Sequence, residues 1–410
     1  MASPSPEETA ATRLGEDGGI LLDHEEIYSP GRRLHLQPHK PLPPYGSHLY
    51  PLPSGWEPED MTQSDDEKDF SLRRLVFHPN NAPKTINKNN QNDPDASIEI
   101  LCKVVVSPST PPNKQEHEIP SEGQLLLLKI FDALFWYKTV DITKRLIKVT
   151  AQADSAFSDE CGAYDHLYKK ELTGFPNIAP QFYGGWDHRG QDTRNVAVLA
   201  TEFIDGLCLD QLFTIAGPTF EVELYKDAEP RGAFTTDLDV RMEIIKQLMD
   251  GTMTQEYNGV YHGRLRSKNV IMAMRNKGEP LKNPRAVLIG YGQALVDDLR
   301  REPVEMWEKY PTKPHSIIRF GWKRLESFAG WIPMEWASPN PKRPRLLWQW
   351  MIHTFGHLTR NATYTAFMLE DLRSVPTQTE GTSIGPSSEH QLVRPEPERQ
   401  SPSAVPQGQP

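Results

Sequence analysis

The sequence predicts an α+β chain in which a strand-rich part precedes a mainly helical one. Three observations carry that expectation. Short aliphatic runs bounded by turn residues fill the first half, and two longer stretches repeat apolar residues at three- and four-residue steps. A hairpin with a polar loop at each end follows the second of those stretches.

Composition sets the outer limits. The chain has 410 residues, of which 37% are hydrophobic and 37 are prolines, a balance that suits one sizeable core flanked by unfolded segments. A formal net charge of -10 argues against general affinity for nucleic acid or acidic membranes, which needs a basic surface. Cys102, Cys161 and Cys208 lie far apart with no zinc-type spacing, so reduced thiols are expected. The acidic start MASPSPEETAATRLGEDGG has no apolar core, so it does not read as a signal peptide. No stretch approaches the ~18 consecutive apolar residues of a membrane span. A cytoplasmic or nuclear protein is the expectation.

The elements follow in order. Residues 1–68 are rich in Pro, Ser, Glu and Asp and end in the acidic run Asp65, Asp66, Glu67, so they read as unfolded. Within them Gln37 to Trp56 mixes Pro with Tyr, Leu and Trp; a linker, an arm packed on the domain and a polyproline recognition motif all remain open. Ordered structure is expected over 69–372, and 373–410 reads as a disordered tail. Strands are expected at SLRRLVFH from Ser71, IEILCKVVV from Ile98, QLLLLKIFD from Gln124 and VAVLATEFI from Val196. A helix from about Asp154 to Leu172 is marked by Phe157, Cys161, Tyr164, Leu167 and Tyr168. Pro218 to Phe234 reads as a polar loop. The next helix runs from about Thr236 to Tyr257, capped by Thr235, Thr236 or Asp237, with Leu238, Met242, Ile245, Met249 and Met253 on a core-facing stripe. Trp307, Trp322, Trp331 and Trp336 suggest internal packing, and a last helix is expected from Arg345 to about Leu372.

Between the second helix and the Trp-rich stretch lies YHGRLRSKNVIMAMRNKGEPLKNPRAVLIGYGQA, Tyr261 to Ala294, with strands expected at 270–273 and 286–289. It resembles the catalytic and metal-binding loops of the protein kinase fold, H-R-D-L-x-x-x-N followed after a hairpin by D-F-G. His262, Leu265 and Asn269 fall on family positions, whereas Arg264 replaces the catalytic aspartate and Gly290 the metal-binding aspartate. With E-x-x-A-Y-x-x-L from Glu160, F-Y-G-G-W from Phe182 and EFIDG from Glu202 in family order, the chain resembles the small, divergent kinase-like proteins of filamentous fungi.

That resemblance implies a bilobal protein kinase-like fold, with a small antiparallel β lobe over about 69–203 and a shortened, mainly helical large lobe over about 204–372, and a remnant ATP site of Lys129, Glu160, Glu202 and Asn269. Lys129 takes the place of the ATP-pairing lysine and Glu160 that of its helix partner; Lys148 is a weaker competitor. Glu202 begins the segment resembling the hinge, whose backbone holds adenine in the family. The segment expected to cover the phosphates, Pro79 to Ser97, contains no glycine and so lacks the backbone freedom of a Gly-rich cover. No A-P-E closes the stretch after Ala294, and the usual peptide-substrate platform looks reduced.

Phosphoryl transfer depends on positioning and charge neutralisation. Arg264 stays protonated at any working pH and repels a divalent cation. Gly290 offers no carboxylate, leaving Asn269 as a lone neutral ligand. The expectation is a pseudokinase acting as a regulatory or scaffold binding module with a protein partner and no catalytic residue or metal site, its only expected cofactor being ATP bound without strong magnesium dependence. Two alternatives remain open: an atypical phosphotransferase on a protein or small molecule, recruiting Asp297 or Asp298, and an anion site built from Arg264 and Lys129. His262 and Asn269 also have a plain role available, tying the loop backbone together.

Overall fold

The computed structural model describes residues 28–45, 50–57, 97–107, 118–136, 147–189, 195–216, 221–224, 237–302, 307, 310–336, 342–359 and 361–365. Strands β1 (Leu36–Pro38), β2 (Ile98–Lys103), β3 (Leu125–Phe131), β4 (Phe182–Arg189) and β5 (Asn195–Glu202) form one antiparallel sheet in the order β1-β4-β5-β3-β2. Alternation along β3 sorts its side chains. Leu126, Leu128 and Ile130 pack on one face with Ile98, Tyr183, Trp186, Val196 and Val198, while Lys129 and Phe131 turn to the other.

Helix α1 (Val149–Lys169) covers that second face with Phe157, Cys161, Tyr164 and Leu167, all nearly inaccessible. It begins five residues before the expected Asp154 and stops three before Leu172. The end is marked by Glu171 in the left-handed region at φ 58°, with the Leu172 N–H returning to the Leu167 carbonyl. Lys148 is the residue preceding this helix, which removes it as a competitor for Lys129.

Beyond the sheet, β6 (Gly206–Cys208) joins a later hairpin, and β7 (Phe213–Ala216) pairs with β8 (Glu221–Leu224). The latter pair corrects the expected loop over Pro218 to Phe234: the alternating EVEL segment has a partner strand just upstream, and residues 225–234 lie outside the described part.

Helix α2 (Leu238–Tyr257) buries Ile244, Ile245, Leu248, Met249 and Met253, so the Met-rich stripe is core, although Leu238 at its start is exposed. Asp237 holds the N-cap position without a side-chain capping bond. At the other end buried Glu256 receives Arg319 at 2.7 Å and Arg324 at 2.5 Å, tying α2 to the Trp-rich region. Two-residue strands β9 (Val260–Tyr261) and β12 (Leu295–Val296) pair on either side of the hairpin β10 (Val270–Asn276) and β11 (Glu279–Leu288). Lys277 and Gly278 turn that hairpin with φ of 49° and 86°, the primed geometry that suits strand twist.

Short helix α3 (Trp322–Leu325) precedes Trp331 and Trp336, which with Trp307 are buried as internal packing. The Trp331 indole and the Arg241 guanidinium exchange bonds with each other's backbone carbonyls at 3.2 and 3.1 Å. Helix α4 (Arg343–Phe355) is much shorter than expected. Gly356, at φ 90°, ends it, and Thr365 bridges back to Pro314.

Residues 28–45 and 50–57 are not the unfolded segment read from composition, and of the readings left open for Gln37 to Trp56 they form the arm packed on the domain. Tyr45 and Tyr50 are 1% and 2% exposed, because aromatic rings docking on a preformed surface supply burial that the segment could not generate by itself. The expected strand from Ser71, the glycine-free segment up to residue 96 and the tail 373–410 lie outside the described residues. The described chain is a mixed α and β structure with a predominantly antiparallel sheet and few helices. Among the described residues no helix is long and apolar enough to cross a membrane.

Candidate functional site

Lys129 sits at the middle of β3, opposite Glu99 on β2 and Leu199 on β5, and its side chain reaches α1. There Nζ donates to Glu160 Oε2 at 2.6 Å, with the two side chains only 8% and 3% exposed. The ammonium also lies over the Phe131 ring at 5.6 Å. The opposite charges of the two groups compensate each other away from water, and the bond fixes α1 against the sheet. The structure thus brings together the first two residues singled out from the sequence.

The loop after β9 is built from side-chain to backbone bonds. His262 is 1% exposed; its Nδ1 accepts from the Arg264 N–H at 3.3 Å, which leaves Nε2–H to donate to the Ile289 carbonyl at 3.0 Å. Burial pushes this imidazole down to about 4, so it is neutral near pH 7. Gly263 has φ 76°, and a Cβ there would stand 2.2 Å from the Gln293 carbonyl oxygen, so only glycine lets the loop approach so closely. Asn269 donates from Nδ2 to the Arg264 carbonyl at 2.8 Å, and its own carbonyl accepts from the Ile289 N–H at 2.9 Å. One turn therefore ties Arg264, Asn269 and Ile289 together.

Gly290 comes next, at φ 78°, and a Cβ on it would lie 3.6 Å from Asn269 Oδ1. The two positions face each other, one carrying an amide and the other no side chain. Tyr291 is fully buried, accepts from Gln255 of α2 at 2.7 Å, and packs on Tyr164 of α1 at 4.8 Å and edge-on to His262 at 4.6 Å. It joins both helices to the loop. Among the described residues no three His, Cys, Asp or Glu side chains cluster as a metal set.

Glu202 goes elsewhere. Its carboxylate accepts from Arg285 at 3.0 and 3.3 Å and from the Gln181 N–H at 3.1 Å, while its own N–H is taken by the Gln181 carbonyl at 2.8 Å. Arg285 also reaches the Asn177 carbonyl and lies 5.7 Å over the Phe175 ring. The Glu202 side chain is thus a buried anchor of β11, while the hinge role expected of this segment belongs to its backbone. Arg285, Tyr291 and Gln255 were missed by sequence reasoning; for Arg285 the signal was present, as a lone charge entering the apolar run Ala286 to Ile289.

The carboxylates considered as recruits have their own partners. Asp297 bonds Arg300 at 3.4 Å and is pushed up to about 6 by burial, while Asp298 lies 3.8 Å from His166. Asp298 thus looks toward the C-terminal end of α1, while Asp297 is held by Arg300 within its own turn. Compared with known proteins, the chain matches no family model, and no curated protein is similar to it.

Proposed function

We propose that this chain is a kinase-like protein of impaired catalysis, a pseudokinase working as a regulatory or scaffold binding module. The supports are the elements in their order. An antiparallel sheet carries a central lysine, the next helix carries its glutamate, and a helix and a hairpin then frame a loop with His262 and Asn269. A small sheet lobe above a helical lobe is the bilobal arrangement these elements suit.

The observation that carries the reading is the use made of Asn269 and Gly290. Asn269 donates to the Arg264 carbonyl and faces a glycine. Polar groups retained at the loop hold the loop itself, and Arg264 stands where a kinase needs a base. Phosphoryl transfer without base and metal carboxylate loses transition-state stabilisation at ~1.4 kcal/mol for each factor of ten in rate. Lys129 and Glu160 then serve the fold first, with ATP as an occupant that needs little magnesium. The alternative, an atypical phosphotransferase, draws on the same ion pair but requires a replacement carboxylate, and Asp297 and Asp298 face Arg300 and His166.

Thermal unfolding of the full chain with and without millimolar ATP, each with magnesium or EDTA, tests the reading, since a ligand specific for the folded state raises the midpoint. A shift independent of magnesium supports a nucleotide-sensing pseudokinase, and no shift supports a scaffold with an empty cleft. A shift that requires magnesium, together with transfer of the γ-phosphoryl group to protein or water, overturns it.

A further inference from the structure

We infer that residues 36–45 and 50–57 act as a peptide ligand held in cis, a Pro- and Tyr-rich strap filling a groove made by the β4 edge, α1 and the segment after the Gly290 loop. The inference stands on the packing of this arm and does not rest on the kinase-like reading.

Three anchors define the groove. At the sheet, β1 pairs with β4, the pairing is prolonged by the His39 N–H donating to the Gly185 carbonyl at 2.9 Å, and the His39 ring lies 3.0 Å from Asp187 and stacks on Phe157. On the helix, Pro44 crosses α1 at Gly162, where a Cβ would stand 2.7 Å from its ring. A glycine inside a helix costs about 1 kcal/mol relative to alanine, and here the close crossing accounts for it. Beside it the Tyr45 hydroxyl donates to Asp154, Ser155 donates to the Tyr45 carbonyl at 2.6 Å, and Trp56 closes edge-on over the Tyr45 ring.

The third anchor is Tyr50. Its hydroxyl donates to the Ala294 carbonyl at 3.2 Å and accepts from the Val296 N–H at 2.9 Å, and Arg301 donates to its carbonyl at 3.2 Å. The phenol thus completes the polar pair on either side of Leu295, which burial would otherwise leave unsatisfied. One strap therefore spans the helix that carries Glu160 and the segment that follows Gly292. While docked, it holds α1 in the position where Glu160 meets Lys129. Released, it frees α1 and opens a groove suited to a segment of the type Pro-Leu-Pro-Pro-Tyr.

Cys161 reports the state of the strap. It is 1% exposed, and a Cβ on Gly185 would meet both its Sγ at 3.1 Å and the His39 carbonyl of the arm at 3.0 Å. In the full chain with Cys102→Ser and Cys208→Ser, thiol labelling by a soluble disulfide reagent is compared with that of two variants of the same background. Gly162→Leu lifts the arm from the helix side, and Tyr45→Phe with Tyr50→Phe loosens it from its own side. Local opening of the arm should speed Cys161 labelling about tenfold or more in both. A synthetic peptide of residues 36–57 should restore protection in the Tyr-substituted chain and fail to do so in Gly162→Leu. Unchanged labelling in the Tyr-substituted chain overturns the inference. So does faster labelling that the peptide does not reverse there. If Gly162→Leu does not fold, the Tyr-substituted chain and the peptide decide.

Discussion

Glu202 and Arg285 are 83 positions apart and meet at 3.0 Å in the interior, each nearly sealed from water. The pair joins the last residue of the central strand β5 to the hairpin that precedes the Gly290 loop. Removing one charge leaves the other buried without compensation, at about 3 to 5 kcal/mol. Arg285→Met alone should therefore lower stability by that order in urea unfolding, while Arg285→Met with Glu202→Leu should recover most of it. A double variant no better than the single one would show that the pair is not the unit.

The Lys129 and Glu160 pair allows a sharper distinction. If its first duty is to hold α1 to the sheet, Lys129→Met should cost about 3 kcal/mol or more in unfolding free energy. Adding Glu160→Leu should return part of the loss, because an apolar pair fills the same space without stranding a carboxylate. Any ATP-induced midpoint shift should disappear in both variants. A Lys129→Met chain as stable as the parent would count against a structural role.

Two glycines of the loop should respond unequally to a side chain. Gly263→Ala places a Cβ against the Gln293 carbonyl in a left-handed backbone, so it should lose about 2 kcal/mol or more. Gly290→Asp sets its Cβ in ordinary van der Waals contact with the Asn269 amide and pays mainly for its positive φ, about 1 kcal/mol. That variant should also acquire a magnesium-dependent shift of the melting point with ATP. Its absence in a folded variant would argue against position 290 as the vacated metal ligand.

Acid should weaken the fold through His262. The native imidazole, held near 4, lies below its unfolded value of ~6.5, so between those values the unfolded chain binds a proton that the native chain refuses. Its stabilisation is full above about pH 6.5 and is lost as the pH falls toward about 4, up to about 3 kcal/mol for this one group. His315, also lowered by burial, acts in the same direction. Asp297 opposes them: raised to about 6, it takes up its proton more readily when folded, so it returns stability as the pH falls below that value. In urea unfolding between pH 7 and 4.5, His262→Gln should flatten the acid limb and lower stability at pH 7 by about 1 to 3 kcal/mol, since Arg264 and Ile289 lose their partner. An unchanged acid limb would remove His262 as its source.

Much of the scaffold was legible in the chain itself because its signals are local. The run LLLLKIF declares a buried strand by its unbroken apolar composition, and the stripe of α1 through Phe157 and Tyr164 and the Met-rich stripe of α2 each declare one buried face by period. Lys129 and Glu160 were legible for the same reason, as charges set into or beside apolar runs. The end of α4 at Gly356 and the pairing of β8 with β7 were misread. In each case a backbone turn or a partner strand outweighed the composition of the segment.

What the sequence by itself determined is therefore which stretches turn a face inward, and which residue types stand in the loop from His262 to Gly290. Only the tertiary structure decided what those residues touch. It sent the Glu202 carboxylate to Arg285, turned the Asn269 amide onto the Arg264 carbonyl, and laid Tyr45 and Tyr50 across α1 and β12. These partners lie far apart in sequence or depend on a side-chain direction. A buried polar group takes whichever partner the packed chain brings within about 3 Å, and periodicity carries no record of that distance.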